Sequence, residues 1–142
     1  MAQSAVQVIS YGIIPIRKQH DAWQVFIIQH KAGHWGFPKG HPNSDQEAPQ
    51  QVAERELHEE TGLNVKQYVF KQPLSVNYTA MSHGKHAYKT VVYFIAQVQG
   101  NVHLCPDEIA AGMWIDVEQV DQKITFANMQ PLLKQLHQLL KK

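Results

Sequence analysis

Apolar residues recur along this chain with two periods. Val6 to Ile16 and Trp23 to Gln29 are apolar, β-branched runs, which predicts two buried strands. The first should end near Pro15, and Asp21 should turn the chain between them. Leu63 to Phe70 reads as a further strand, and Leu74 to Thr79 alternates as a strand with one buried face does. Ala80 to Ala87, with His83, Gly84, Lys85 and His86, reads as a polar loop. Tyr88 to Val98, YKTVVYFIAQV, is the longest β-branched and aromatic run, and so a central strand. Gly112 to Asp116 is a short strand around Trp114, and Val117 to Gln122 a helical turn. The period then changes. Met129, Leu132, Leu133, Leu136, Leu139 and Leu140 spell an amphipathic helix, with Asn128 as its cap and Pro131 in its first turn.

One mid-chain stretch is also helical. Val52, Ala53 and Leu57 form an apolar stripe. Pro49 lacks an N–H and fits the first turn, while Gly62 can take the left-handed C′ position, so the helix is predicted over Pro49 to Thr61. Ser44 and Glu47 spell a capping box, but a helix starting there would carry Pro49 too deep. Glu56, Glu59 and Glu60 stand at i, i+3 and i+4 and crowd one face, with Arg55 the only cation among them. Like charges so spaced cost a few tenths of a kcal/mol per pair. A solvated acidic face is the plain reading; a site for a hard cation such as Mg2+ is the functional one.

Composition narrows the partners. Thirteen Lys and Arg against twelve Asp and Glu leave a formal net charge of +1, so no overall field draws in nucleic acid or membrane. Cys105 is the single cysteine, which suits a reducing, cytoplasmic setting. No apolar run has membrane-spanning length, and MAQSAVQVIS has no basic-then-apolar signal pattern. Residues 1–142 fit a single α+β domain.

Gly40 to Leu63, GHPNSDQEAPQQVAERELHEETGL, closely resembles the Nudix box, G-x5-E-x7-R-E-U-x-E-E-x-G-U, where U is a bulky aliphatic residue. Gly40, Glu47, Arg55, Glu56, Leu57, Glu59, Glu60, Gly62 and Leu63 fill the specified positions. One departure stands: six residues, not five, separate Gly40 from Glu47, which puts the seat of Glu47 in question. The resemblance implies a mixed β-sheet sandwiched between α-helices. It also implies Mg2+-dependent hydrolysis of a nucleoside diphosphate linked to another group, with Mn2+ as a substitute. By resemblance, Glu59 and Glu60 bind metal, Glu56 binds metal or orients water, the Lys39 carbonyl is a further ligand, and Arg55 pairs with Glu47 and holds the carboxylates. Glu108 resembles the downstream acidic residue of many members, an extra metal ligand or the general base; the plain alternative is a turn carboxylate beside Pro106.

Two flanking stretches resemble the asymmetrical diadenosine tetraphosphate hydrolases. One is His34 to His41, HWGFPKGH; the other is Asn77-Tyr78 followed by Lys89 to Phe94. That likeness implies phosphate contacts from His34, Lys39 and Lys89, an adenine stacked on Tyr78, and cleavage to ATP and AMP. A tyrosine on a strand is as readily core, whereas a buried lysine needs an anionic partner. The expected partner is a small nucleotide, not a membrane or nucleic acid. The competing reading is another Nudix pyrophosphohydrolase, acting on nucleoside triphosphates or on the 5′ triphosphate end of RNA. A non-catalytic nucleotide-binding module is a third, and it gives no reason for every box glutamate to be present.

Overall fold

A computed structural model of the protein describes residues 6–82 and 84–141, the side chain of Ser82 excepted. His83 of the expected polar loop lies outside the described residues. The strands are β1 (Val6–Gln19), β2 (Ala22–His30), β3 (Trp35–Gly36), β4 (Lys39–Gly40), β5 (Asn64–Tyr68), β6 (Leu74–Ser82), β7 (Lys85–Gln99) and β8 (Ile109–Asp116). Two α-helices, α1 (Pro49–Thr61) and α2 (Gln130–Leu140), complete the fold with short 3-10 turns at Val117–Gln122 and Ala127–Met129.

The sheet is mixed. β1 and β7 pair in parallel from Val6↔Ala87 to Ile16↔Gln97, and the other ladders are antiparallel. Its order is β3-β2-β1-β7-β5, with β4 also on β1, β6 on β7 and β8 on β2. Strand alternation sends successive side chains to opposite faces. Ile14, Ile16, Val25, Ile27, Val91, Tyr93 and Ile95 meet Leu132, Leu133 and Leu136 of α2 in one core. Ile13, Phe26, Ile28 and Ala96 meet Ala53 and Leu57 of α1 in the other. Both faces are covered, which is why β2 reads as an unbroken apolar run.

β1 does not end near Pro15 but continues to Gln19. Ile13 N–H points at the β4 edge, where it donates to the Pro38 carbonyl at 3.1 Å, so Pro15 N faces that same edge two residues on. The edge has passed β4 at Gly12 and meets β2 only at Ile16, so no ladder bond is lost there. The expected loop at Ala80 to Ala87 is mostly strand, closed around Gly84 at φ 75°. α2 is preceded by Met129, not Asn128, as its N-cap, because Ala127–Met129 already turns as 3-10. Among the described residues no helix is long and apolar enough to cross a membrane.

Leu133 is fully buried between α2 and the sheet. Replacing Leu133 with Ala should lower stability by about 2–5 kcal/mol, read as a shift in the urea midpoint.

Candidate active site

α1 begins and ends as its sequence dictates. Ala48 is the N-cap, and the Gln51 side chain accepts from Ala48 N–H at 2.9 Å. Gly62 closes the helix at φ 81°, and a Cβ there would lie 2.8 Å from the Asn101 carbonyl oxygen. Val52, Ala53 and Leu57 are buried, so the remaining faces carry the charged residues.

Arg55 organises them. Its Nε and Nη2 donate to the two Glu47 carboxylate oxygens at 2.7 and 3.0 Å. Nη1 donates to Glu56 at 3.0 Å and Glu59 at 3.2 Å, and Nη2 also reaches the His41 carbonyl at 2.9 Å. Five bonds match the five N–H donors of a guanidinium. The extra residue ahead of Glu47 is absorbed in the loop: Glu47 N–H donates to the Ser44 carbonyl at 3.2 Å, and Asn43 N–H to Glu47 Oε1 at 2.9 Å. The Arg55 fork, then the Asn43 N–H, hold the Glu47 carboxyl below its ordinary value, and Glu47 in turn pushes the Arg55 guanidinium's value higher still.

β4 is where helix and sheet meet. Gly40 pairs with Tyr11, and a Cβ on it would lie 2.1 Å from the Glu56 carboxyl carbon, so only glycine lets that carboxylate approach. Lys39 N–H donates to Glu60 Oε1 at 3.3 Å. Glu60 is 5% exposed, and burial, followed by the Glu56 charge, pushes its pKa up to about 8. Both effects favour its protonated form, and burial also raises the pKa of Glu56. Glu59 is exposed, and Glu108 lies on the turn before β8, close enough to add to the rise at Glu60. Among the described residues no three His, Cys, Asp or Glu side chains are gathered tightly enough to hold a metal as they stand. The reason is visible: Arg55 draws Glu56 and Glu59 to itself while Glu60 turns to Lys39. The donor set still suits a hard cation, since carboxylates whose ionisation is opposed by burial and by one another gain from a cation placed among them.

Beside this centre opens a cavity of about 280 Å3 on the α2 face. His34, Lys39 and Tyr78 line it; Lys89 does not, and instead lines a neighbouring cavity. Burial lowers the Lys39 ammonium's pKa, Glu60 pulls it back up, and the Lys89 charge lowers it further. Sequence reasoning missed His30, Trp35 and Phe126, which line the same cavity. The His30 and His34 rings stack at 4.4 Å, and Phe126 tilts against His34 at 5.6 Å. The signal for His30 was its place one turn before His34 in HKAGH; Phe126 sits in a segment with no local pattern.

A mixed sheet clasped between two helices, with a carboxylate-rich helix at a glycine and a cation-lined cavity beside it, is the architecture of a phosphoanhydride hydrolase. The NUDIX domain family model matches residues 6–136, and the chain belongs to the Nudix family as a pyrophosphohydrolase. It is 33% identical over 111 residues to the asymmetrical bis(5′-nucleosyl)-tetraphosphatase of Mus musculus, covering 75% of this chain and 72% of that one. The enzyme of the same name from Sus scrofa is 30% identical over 142 residues, covering 91% and 92%. The fold matches a C. elegans Ap4A hydrolase binary complex with a TM-score of 0.73 at 22% identity, over 94% of this chain and 97% of that one.

Replacing Arg55 with Ala should cut turnover roughly 100-fold and lower the melting temperature, because four acceptor groups lose the fork that positions them. Lys at this position should not restore activity, since it lacks the planar fork. Unchanged kinetics in the Ala variant would show that Arg55 is an ordinary surface charge.

Burial, then His34 and Lys39, lower the His30 pKa from 6.5 to about 4. The folded state thus resists a proton that the unfolded chain accepts, so His30 costs stability progressively as pH falls from about 6.5 to about 4. The parent should lose more stability than the His30→Gln variant over that window in paired denaturation curves. Parallel curves would contradict the assignment.

Proposed function

We propose that this Nudix hydrolase, acting as one domain over residues 1–142, splits diadenosine tetraphosphate asymmetrically into ATP and AMP in the cytoplasm. The observation that carries the reading is the aromatic cavity opening at Lys39, beside the box carboxylates. Relatives carrying the asymmetrical tetraphosphatase name support it.

Tyr78, with Trp35 and Phe126, offers flat apolar surface for one adenine, worth about 1–3 kcal/mol by stacking. His34 and Lys39 face the phosphates that follow, and Lys89 continues that line. Burial lowers the Lys39 ammonium's pKa, so an anion placed against it relieves a standing cost. Mg2+, with Mn2+ as a substitute, would be held by Glu56, Glu59, Glu60, Glu108 and the Lys39 carbonyl, and when bound it supplies charge neutralisation and an activated water. Glu108, exposed on the turn before β8, would accept that water's proton. Arg55 keeps Glu56 and Glu59 oriented throughout.

Incubation with diadenosine tetraphosphate and Mg2+, with products separated by chromatography, should yield ATP and AMP. The Glu59→Gln variant should be slower by orders of magnitude while remaining folded. Two molecules of ADP would exclude asymmetric attack. Pyrophosphate released from a nucleoside triphosphate or an RNA 5′ end, without cleavage of the dinucleotide, would replace this reading with another Nudix activity.

A further inference from the structure

A second cavity, of about 410 Å3, lies on the same sheet face, at the N-terminal ends of β1 and β7. His41, Lys85, His86 and Lys89 line it with Val6 and Val8, and among the described residues no carboxylate does. Its position follows from register. Gly12 pairs with Lys39 and Tyr11 with Gly40, so Lys39 and His41 flank the glycine against which Glu56 packs. Lys39 lines the first cavity and His41 the second. On β7, Tyr93 and Val91 line the first, and Lys89 the second. From Tyr93 to Lys89 is four residues, about 13 Å along a strand. The two cavities thus lie to either side of Gly40, the residue against which the Glu56 carboxyl packs from the α1 face.

The second cavity is built in part from a buried group. Ser10 is 5% exposed, and its hydroxyl pairs with His41 Nδ1 at 3.1 Å. The His41 carbonyl is held by Arg55 at 2.9 Å. Ring and backbone are both fixed, which leaves Nε2 as the His41 atom offered to the cavity. Lysine ammoniums and imidazole N–H donors beside a β-branched surface suit a ligand that is anionic along one side and apolar along the other.

We propose that this cavity binds the second nucleotide of the substrate: phosphates on His41, Lys85, His86 and Lys89, and its base over Val6 and Val8. The proposal rests on the dinucleotide reading above and extends it. A substrate spanning both cavities passes Lys39 and His41 to either side of Gly40, the glycine against which Glu56 packs, so cleavage falls between two held ends.

Two arms test it. In steady-state hydrolysis of diadenosine tetraphosphate, the Lys85→Ala/His86→Ala double variant should show KM raised about tenfold with kcat little changed, the loss of charged contacts to phosphate. Lys85→Arg should keep the parent KM. The second arm does not depend on cleavage. ADP is titrated into 15N-labelled protein in EDTA. Amides of Val8 and Lys89 should shift in the parent, as well as those of Tyr78 and Phe126, and only the latter pair in the double variant. Immobile Val8 and Lys89 amides in the parent, or an unchanged KM in a folded double variant, would overturn the second site. Parent protein that binds ADP at both sites but leaves the dinucleotide intact would instead overturn the proposed substrate alone.

Discussion

The guanidinium of Arg55 is the point on which this structure turns. Four glutamates, Glu47, Glu56, Glu59 and Glu60, converge from one helix and the loop before it, and the helix core holds no other cation. Crowding of this kind is unfavourable unless something fixes and neutralises it. Arg55 does both with its five donors, three of which also tie the loop at Glu47 and His41 to the helix. That tie brings β4 against α1, and β4 is the strand that carries Gly40 and Lys39. Remove the fork and the loop, the strand and two of the carboxylates lose their common anchor.

Neutralisation stops short of Glu60. It makes no bond to Arg55; it lies buried against Glu56 and the Lys39 N–H, and burial and the Glu56 charge oppose its ionisation. The site is thus not electrostatically satisfied by its own groups. One carboxyl is held in a form that a divalent ion would displace, and Lys39 is held with a depressed pKa that an anion would restore. Both frustrations point the same way. A cation and a polyanion entering together relieve each other's costs, which is the electrostatic logic of anhydride hydrolysis.

Much of this was legible in the sequence, and the reason is locality. α1 spans Pro49–Thr61 as its proline and glycine demand, and the glutamate spacing is a property of the helix alone. β7 is central because nothing but a doubly covered strand needs such a run as YKTVVYFIAQV. What escaped depends on chain segments far apart. Pro15 looked like a strand end because its cost depends on which edge its nitrogen faces, and that is set by β4 and β2. Phe126 reaches the cavity from a segment whose own residues carry no periodic signal. Tyr78 and Lys89 were both expected at the substrate, and they are paired across β6 and β7, yet they line different cavities. Side-by-side pairing fixes position along a strand but not the path of a long side chain.

Division of labour across β4 follows from one missing methyl group. Any side chain at Gly40 would occupy the space of the Glu56 carboxyl, so the acidic helix could not approach. With glycine there, Glu56 and Glu60 press on β4 from the α1 face, while Lys39, Lys89, Val91 and Tyr93, which line the cavities, belong to the α2 face. Negative and positive groups are thereby held on opposite sides of a two-residue strand instead of collapsing into salt bridges with one another. Lys39 and Glu60 illustrate the point. They influence each other's charge through the strand, yet the Lys39 bond to Glu60 is made by its backbone N–H, which leaves the ammonium unspent. A site that consumed its cations internally would have none left for phosphate. Keeping them apart by a strand's thickness preserves both the carboxylates for a metal and the lysines and histidines for the chain of phosphates.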